Sequence, residues 1–262
     1  MTALPLHVNT RVSHLGAADS LVLIEPAVST GDVIVCYLHG GLFVIGTAQS
    51  RTAISSHLAS TLCCAVISIN FRLAPEHPYP AALGDADEAL RLCAYTYPGV
   101  PIVIAGDSSG AGLALSLMLR LRDRGDPMPA AAVLFSPWAD LSMSGSSYGA
   151  NGERDVMLTI ERLNEAASAY LGDASPTDPY VSPRFGDFTG LPPILIFVSS
   201  DELLRDDSVA IARSALEAGV IAKLHEEDNL FHGWPVAAGM VPEADEAIQL
   251  VSAFVNEVLC RA

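Results

Sequence analysis

Four short stretches carry the side chains and backbone groups able to do covalent chemistry. Gly106 to Gly110 (GDSSG) sets Ser108 between two glycines. A serine so placed, after a buried strand and before a helix, sits on a sharp turn that lifts its hydroxyl out of a sheet. An N-cap role alone would not require glycine on both sides. A serine nucleophile needs a base, a carboxylate to orient that base, and donors for the oxyanion. Downstream, VSSDELLRDDS offers two adjacent acids, Asp201 and Glu202, and NLFHGWP offers His232 between Phe231 and Trp234. The order serine, acid, histidine is the one expected when the nucleophile stands on a strand-to-helix turn. From the residues alone, both Asp201 and Glu202 remain candidates. Upstream, YLHGGLF ends an apolar run with His39, Gly40 and Gly41.

These stretches need a scaffold that brings them to one edge. Apolar runs rich in Val, Ile and Leu recur at Leu21 to Ile24, Val33 to Leu38, Ala65 to Ile69, Ile102 to Ala105, Ala131 to Phe135 and Ile194 to Val198. They read as strands buried on both faces. Segments with helical spacing lie between or beyond them, at about 49–62, 81–96, 109–122, 207–218 and 243–259. The alternation predicts a single α/β domain whose mostly parallel sheet is flanked by helices. Arg11 to Leu15 and Ala222 to Glu226 are more polar and are expected at the sheet edges, giving about eight strands. Between Ala139 and Leu191 no strand-like run occurs, only a helical stretch from Thr159 to Leu171 and a loop rich in Pro and Asp. An insertion of this length is expected to form a lid or pocket wall.

Composition narrows the partners. The formal charge of −16 repels phosphate backbones and anionic lipid surfaces, which argues against nucleic acid and membrane binding. The apolar runs fall short of the ~18 residues needed to span a bilayer, and no signal-peptide pattern opens the chain, so a cytoplasmic protein is expected. The five cysteines show no CxxC pair and are expected to be reduced, buried thiols. His7, His14, His57 and His225 occupy ordinary settings, His77 belongs to a proline-rich loop, and no metal-ligand spacing appears. Neither a metal nor another cofactor is expected.

The motifs HGGLF, FRLAPEHPYPAAL, GDSSGAG, SPWADL, YVSPRFGDFTGLPPILIFVSSDELLRDDS and FHGWP occur in this order from about residue 32 onward. In these, the chain resembles the hormone-sensitive lipase-like family of α/β hydrolases, in its bacterial carboxylesterase branch. The resemblance implies an α/β-hydrolase fold with Ser108 as nucleophile and His232 as general base. It places oxyanion donors at the N–H groups of Gly40, Gly41 and Ser109. The family pattern DPLRDE falls on Glu202 to Asp207 and so favours Glu202 as the acid, leaving Asp206 and Asp207 to cap the next helix. Leu42, where the family has a third glycine, is expected to narrow a substrate pocket that also includes Phe43, Asp107 and Trp138; His39 is expected to fix the loop.

The resemblance also implies several dozen cap residues before the HGG strand, whereas about thirty precede it here. Residues 1–30 are therefore expected to form a truncated cap of edge strands, with the insertion at 139–190 covering a shallow pocket. The expected activity is hydrolysis of small, short-chain acyl esters through an acyl-enzyme. A lactonase or deacetylase acting on a specialised metabolite is the alternative, and a non-catalytic small-molecule binder is a third reading. Homodimerisation through the sheet edge near 222–226 is a further expectation.

Overall fold

In a computed structural model of the chain, which describes residues 8–15 and 18–261, the apolar runs become the strands of one sheet. In chain order these are β1 (Val8–Leu15), β2 (Ala18–Pro26), β3 (Ile34–Leu38), β4 (Ala65–Ile69), β5 (Ile102–Asp107), β6 (Ala131–Phe135), β7 (Ile194–Ser199) and β8 (Ala222–Glu227). Their spatial order is β1-β2-β4-β3-β5-β6-β7-β8. From β4 to β8 all pairings are parallel, while β2 runs antiparallel to both β1 and β4.

The helices are α1 (Thr52–Leu62), α2 (Ala81–Thr96), α3 (Ser109–Arg124), α4 (Ser147–Ala150), α5 (Ile160–Leu171), α6 (Arg205–Glu217) and α7 (Pro242–Leu259). They sandwich the sheet. Alternation along β3 shows how: Ile34, Cys36 and Leu38 join a core with α2, α3, α5 and α6, while Val35 and Tyr37 join another with α1 and α7. Every residue of β3, β4, β6 and β7 is buried, which is why their sequences are continuously apolar rather than alternating. Cysteines 36, 64 and 93 are buried in this core as expected; Cys63 is half-buried and Cys260 is exposed, because α7 ends at the surface.

The expected edge strands are present as β1 and β8, and β2 extends well beyond the apolar four residues that announced it. Among the described residues before β3 there is no helix; residues 1–7 and 16–17 of the expected truncated cap lie outside the described residues. Parallel strands all point their carboxyl ends the same way, so loops after β3, β5, β7 and β8 gather at one edge. The register pairs Leu38 with Gly106, setting the HGG loop beside the GDSSG turn. Crevices outside the carboxyl ends of parallel strands are where α/β folds place their ligands.

Candidate active site

Ser108 stands between β5 and α3 with φ 53° and ψ −122°, a region that side-chain-bearing residues avoid. The flanking glycines explain how the chain tolerates this. A Cβ at Gly110 would collide with the Leu38 carbonyl oxygen, so a larger residue would push α3 off the neighbouring strand. The turn is further held by Ser108 N–H donating to Phe135 O at 2.8 Å, and Trp138 N–H donating to Ser108 O at 3.0 Å.

The loop after β8 brings His232 to this serine. Its Nε2 lies 3.0 Å from Ser108 Oγ and its Nδ1 lies 2.6 Å from Glu202 Oε2. With Nδ1–H donating to the carboxylate, Nε2 is left to accept the serine proton. Glu202, fully buried just past β7, is fixed through its other oxygen: Oε1 accepts from Ser136 O–H at 2.7 Å and from Ser199 N–H at 2.8 Å. Ser136 Oγ in turn accepts from Gly233 N–H at 3.1 Å, so one hydroxyl braces the acid and the histidine loop together. Burial opposes the charged imidazole, but the carboxylate of Glu202, with smaller help from Asp155 and Asp107, raises the His232 pKa above its ordinary value.

The sequence left two acids open, and the geometry separates them. Asp201 turns away from the cleft and forms an ion pair with Arg154 at the surface. Asp206 and Asp207 do not cap α6 as expected. Both lie in its first turn, but Asp206 accepts from Ser146 O–H and Ser147 N–H. Asp207 accepts from Ala139 N–H, Asp140 N–H and Tyr148 O–H. Both fasten the insertion to α6. Asp155 does similar work from the other side, accepting from Leu158 N–H and Leu203 N–H.

The expected oxyanion donors need one correction. Gly40 N–H donates to Asp107 Oδ1 at 3.0 Å and is spent inside the protein. Among the described residues, the N–H groups of Gly41, Leu42 and Ser109 have no acceptor. Gly41 has φ +137°, and a Cβ there would collide with the Ile45 carbonyl oxygen. Leu42 has φ 59°, the left-handed conformation that a glycine adopts freely and that costs other residues about 1–2 kcal/mol. Leu42 is among the residues that line the cleft.

Phe43 and Trp138 do not line the cleft. Phe43 is buried beneath α5, stacked on Tyr170 with ring centroids 3.8 Å apart, and Trp138 is fully buried beside it. Asp107 borders the cleft but is occupied: Tyr37 O–H, Gly40 N–H and a two-pronged Arg51 guanidinium all donate to it. It anchors the HGG loop to the nucleophile turn. His39 fixes the same loop, stacking on Phe71 at 4.2 Å and donating from Nδ1 to Gly40 O. Burial lowers its pKa, so it stays neutral.

The cleft over Ser108 and His232 has a volume of about 490 Å³. Its walls are largely apolar, with Leu42, Ile45, Phe231, Val236 and Met240 from the core loops and Met157 and Leu158 from the insertion. Sequence reasoning missed Ser136, Arg51 and Arg162. Ser136 had a signal in its position directly after β6 within SPWADL; Arg51 had none, because its partner Asp107 lies 56 residues away, and Arg162, which lines the cleft, had none either. Among the described residues no helix is long and apolar enough to cross a membrane.

A family model described as the alpha/beta hydrolase fold matches residues 35–236. An acetyl-hydrolase of Streptomyces hygroscopicus is 41% identical over 234 residues, covering 89% of this chain and 78% of the relative. An esterase of Acinetobacter venetianus is 36% identical over 228 residues, covering 86% of this chain and 75% of its own length. The crystal structure of an esterase from the bacterial hormone-sensitive lipase family superposes with a TM-score of 0.93 at 35% identity, covering 98% of this chain and 86% of that one.

Proposed function

Because this chain belongs to the hormone-sensitive lipase-like family of α/β hydrolases, we propose that it is a serine carboxylesterase for small acyl esters. The observation that carries the reading is the unbroken hydrogen-bond line from Glu202 through His232 to Ser108 at the carboxyl edge of the sheet. In this reading Ser108 Oγ attacks the ester carbonyl while His232 Nε2 takes its proton. Glu202 stabilises the imidazolium that forms. The carbonyl oxygen, now an oxyanion, is met by the N–H groups of Gly41, Leu42 and Ser109, the last at the N-terminus of α3. The tetrahedral intermediate collapses as His232 returns the proton to the departing alcohol. A water then repeats the sequence on the acyl-enzyme, releasing the acid and restoring Ser108.

The cleft volume and the insertion residues Met157 and Leu158 at its wall favour short acyl groups, with the segment at 139–190 acting as the cap of a single catalytic domain. A p-nitrophenyl ester series from acetate to decanoate tests this. Activity is expected to peak at short chains and vanish in Ser108→Ala; a peak at the long end would overturn the substrate size. The acetyl-hydrolase name of the Streptomyces relative favours removal of an acetyl group from a larger molecule as a second reading. Acetylated alcohols and amides tested in parallel separate the two.

A homodimer is part of the same proposal. Among the described residues β8 closes the sheet with one side unpaired, and its residues are half-buried or exposed. Light scattering on the eluting protein is expected to give twice the mass of 27.5 kDa, and a monomer mass would refute it.

A further inference from the structure

The charge pattern around the cleft has an exception that the hydrolytic machinery does not use. This is a strongly acidic chain, and among its described side chains every other arginine, together with Lys223, has a carboxylate within ion-pair distance. Arg162 has none, and it lines the same cleft as Ser108 and His232.

Local chemistry does not explain that placement. Arg162 occupies the third position of α5, at the positive end of the helix dipole, where an acidic residue is favoured. Glu165 lies three residues on, within the reach that supports an ion pair along a helix, yet no pair forms. The buried face of α5 is made by Leu163, Ala166, Ala167 and Tyr170, so the helix has no need of Arg162 for packing. The other cation of the cleft, Arg51, is neutralised by Asp107 through both carboxylate oxygens. Arg162 is thus an exposed, uncommitted positive charge on the wall of the cleft that holds the nucleophile, a wall that is otherwise largely apolar.

Resting on the esterase reading above, we propose that Arg162 determines specificity by pairing with a carboxylate on the substrate, which makes half-esters of small dicarboxylic acids the favoured substrate class. One end of such a molecule presents its ester to Ser108 while the apolar middle lies on Leu42, Met157 and Leu158. The free carboxylate meets the guanidinium fork, whose paired N–H donors match its two oxygens. The protein's overall field repels anions, so a local cation is needed to admit one.

The test compares monoethyl glutarate with its neutral primary-amide analogue, which differs in charge but hardly in shape. The wild type is expected to favour the half-ester in kcat/KM. Arg162→Gln is expected to lower that preference about fivefold, mainly through KM, as for an exposed charge pair. Arg162→Lys should restore part of it, and added salt should erode the wild-type preference. A preference that shifts less than twofold in Arg162→Gln, or a wild type that favours the amide analogue, overturns the proposal. Failure of the esterase reading looks different: neither compound is hydrolysed and Ser108 resists phosphonylation, and the proposal then falls with it.

Discussion

Replacing Glu202 by Gln gives the sharpest view of how the site is wired. The carboxylate serves three donors: His232 Nδ1 at 2.6 Å on Oε2, and Ser136 O–H at 2.7 Å with Ser199 N–H at 2.8 Å on Oε1. An amide has one accepting end and cannot serve both sides. If its oxygen stays with Ser136 and Ser199, its NH₂ faces His232 and forces the imidazole into the tautomer whose Nε2 bears the proton. That Nε2 cannot receive the Ser108 proton. If the amide turns over, the NH₂ opposes Ser199 N–H and leaves buried donors unpaired, at a cost of about 1–3 kcal/mol. The first arrangement is therefore favoured, and a wrong tautomer in a triad of this kind lowers kcat by about 10⁴-fold. Asp201→Asn is the matched control, because Asp201 pairs only with a half-exposed Arg154; it should change kcat less than about twofold. Initial rates on p-nitrophenyl acetate measure both. A Glu202→Gln enzyme within tenfold of wild type, or an Asp201→Asn enzyme more damaged than it, would refute the reasoning.

Four further outcomes follow from the same geometry. The raised His232 pKa places the acid limb of kcat/KM above the ordinary imidazole value of about 6.5, so activity climbs with pH as His232 loses its proton; a limb below that value would contradict the Glu202 contact. The stability effect has the opposite sign: the pair's contribution is complete below about pH 6.5 and fades as pH rises through the folded-state pKa, which urea melts at several pH values can follow. Leu42→Gly removes a side chain from the cleft wall and a left-handed leucine from the loop, and should widen tolerance for longer acyl chains; an unchanged chain-length profile refutes it. Ser136→Ala deletes the brace between Glu202 and Gly233 and should cut kcat about tenfold with little change in KM, whereas an equal loss in stability and none in rate would mark Ser136 as merely structural.

The fold was legible because its strands are buried on both faces, which leaves continuous apolar runs that helical segments separate. Ser108 and His232 were legible for a related reason. Their local context, strand then turn then helix for one and a short loop after the last strand for the other, is written in neighbouring residues. Tertiary choices were not. Gly40 reads as an oxyanion donor until Asp107, 67 residues away, is seen to accept its N–H. Phe43 and Trp138 sit next to functional positions yet face Tyr170 and the core, because α5 of the insertion folds over them. Asp206 and Asp207 carry the sequence signature of helix capping, but the insertion supplies them with better donors. Each miss turns on a partner far along the chain.

The central claim is that Ser108 is the activated nucleophile of a working triad. Reaction with a fluorophosphonate, followed by intact mass and peptide mapping, tests it most directly. One phosphonyl group per chain, carried by Ser108, absent in Ser108→Ala and strongly slowed in Glu202→Gln, is the predicted result. An unlabelled chain, or an adduct on a different serine, would contradict the account.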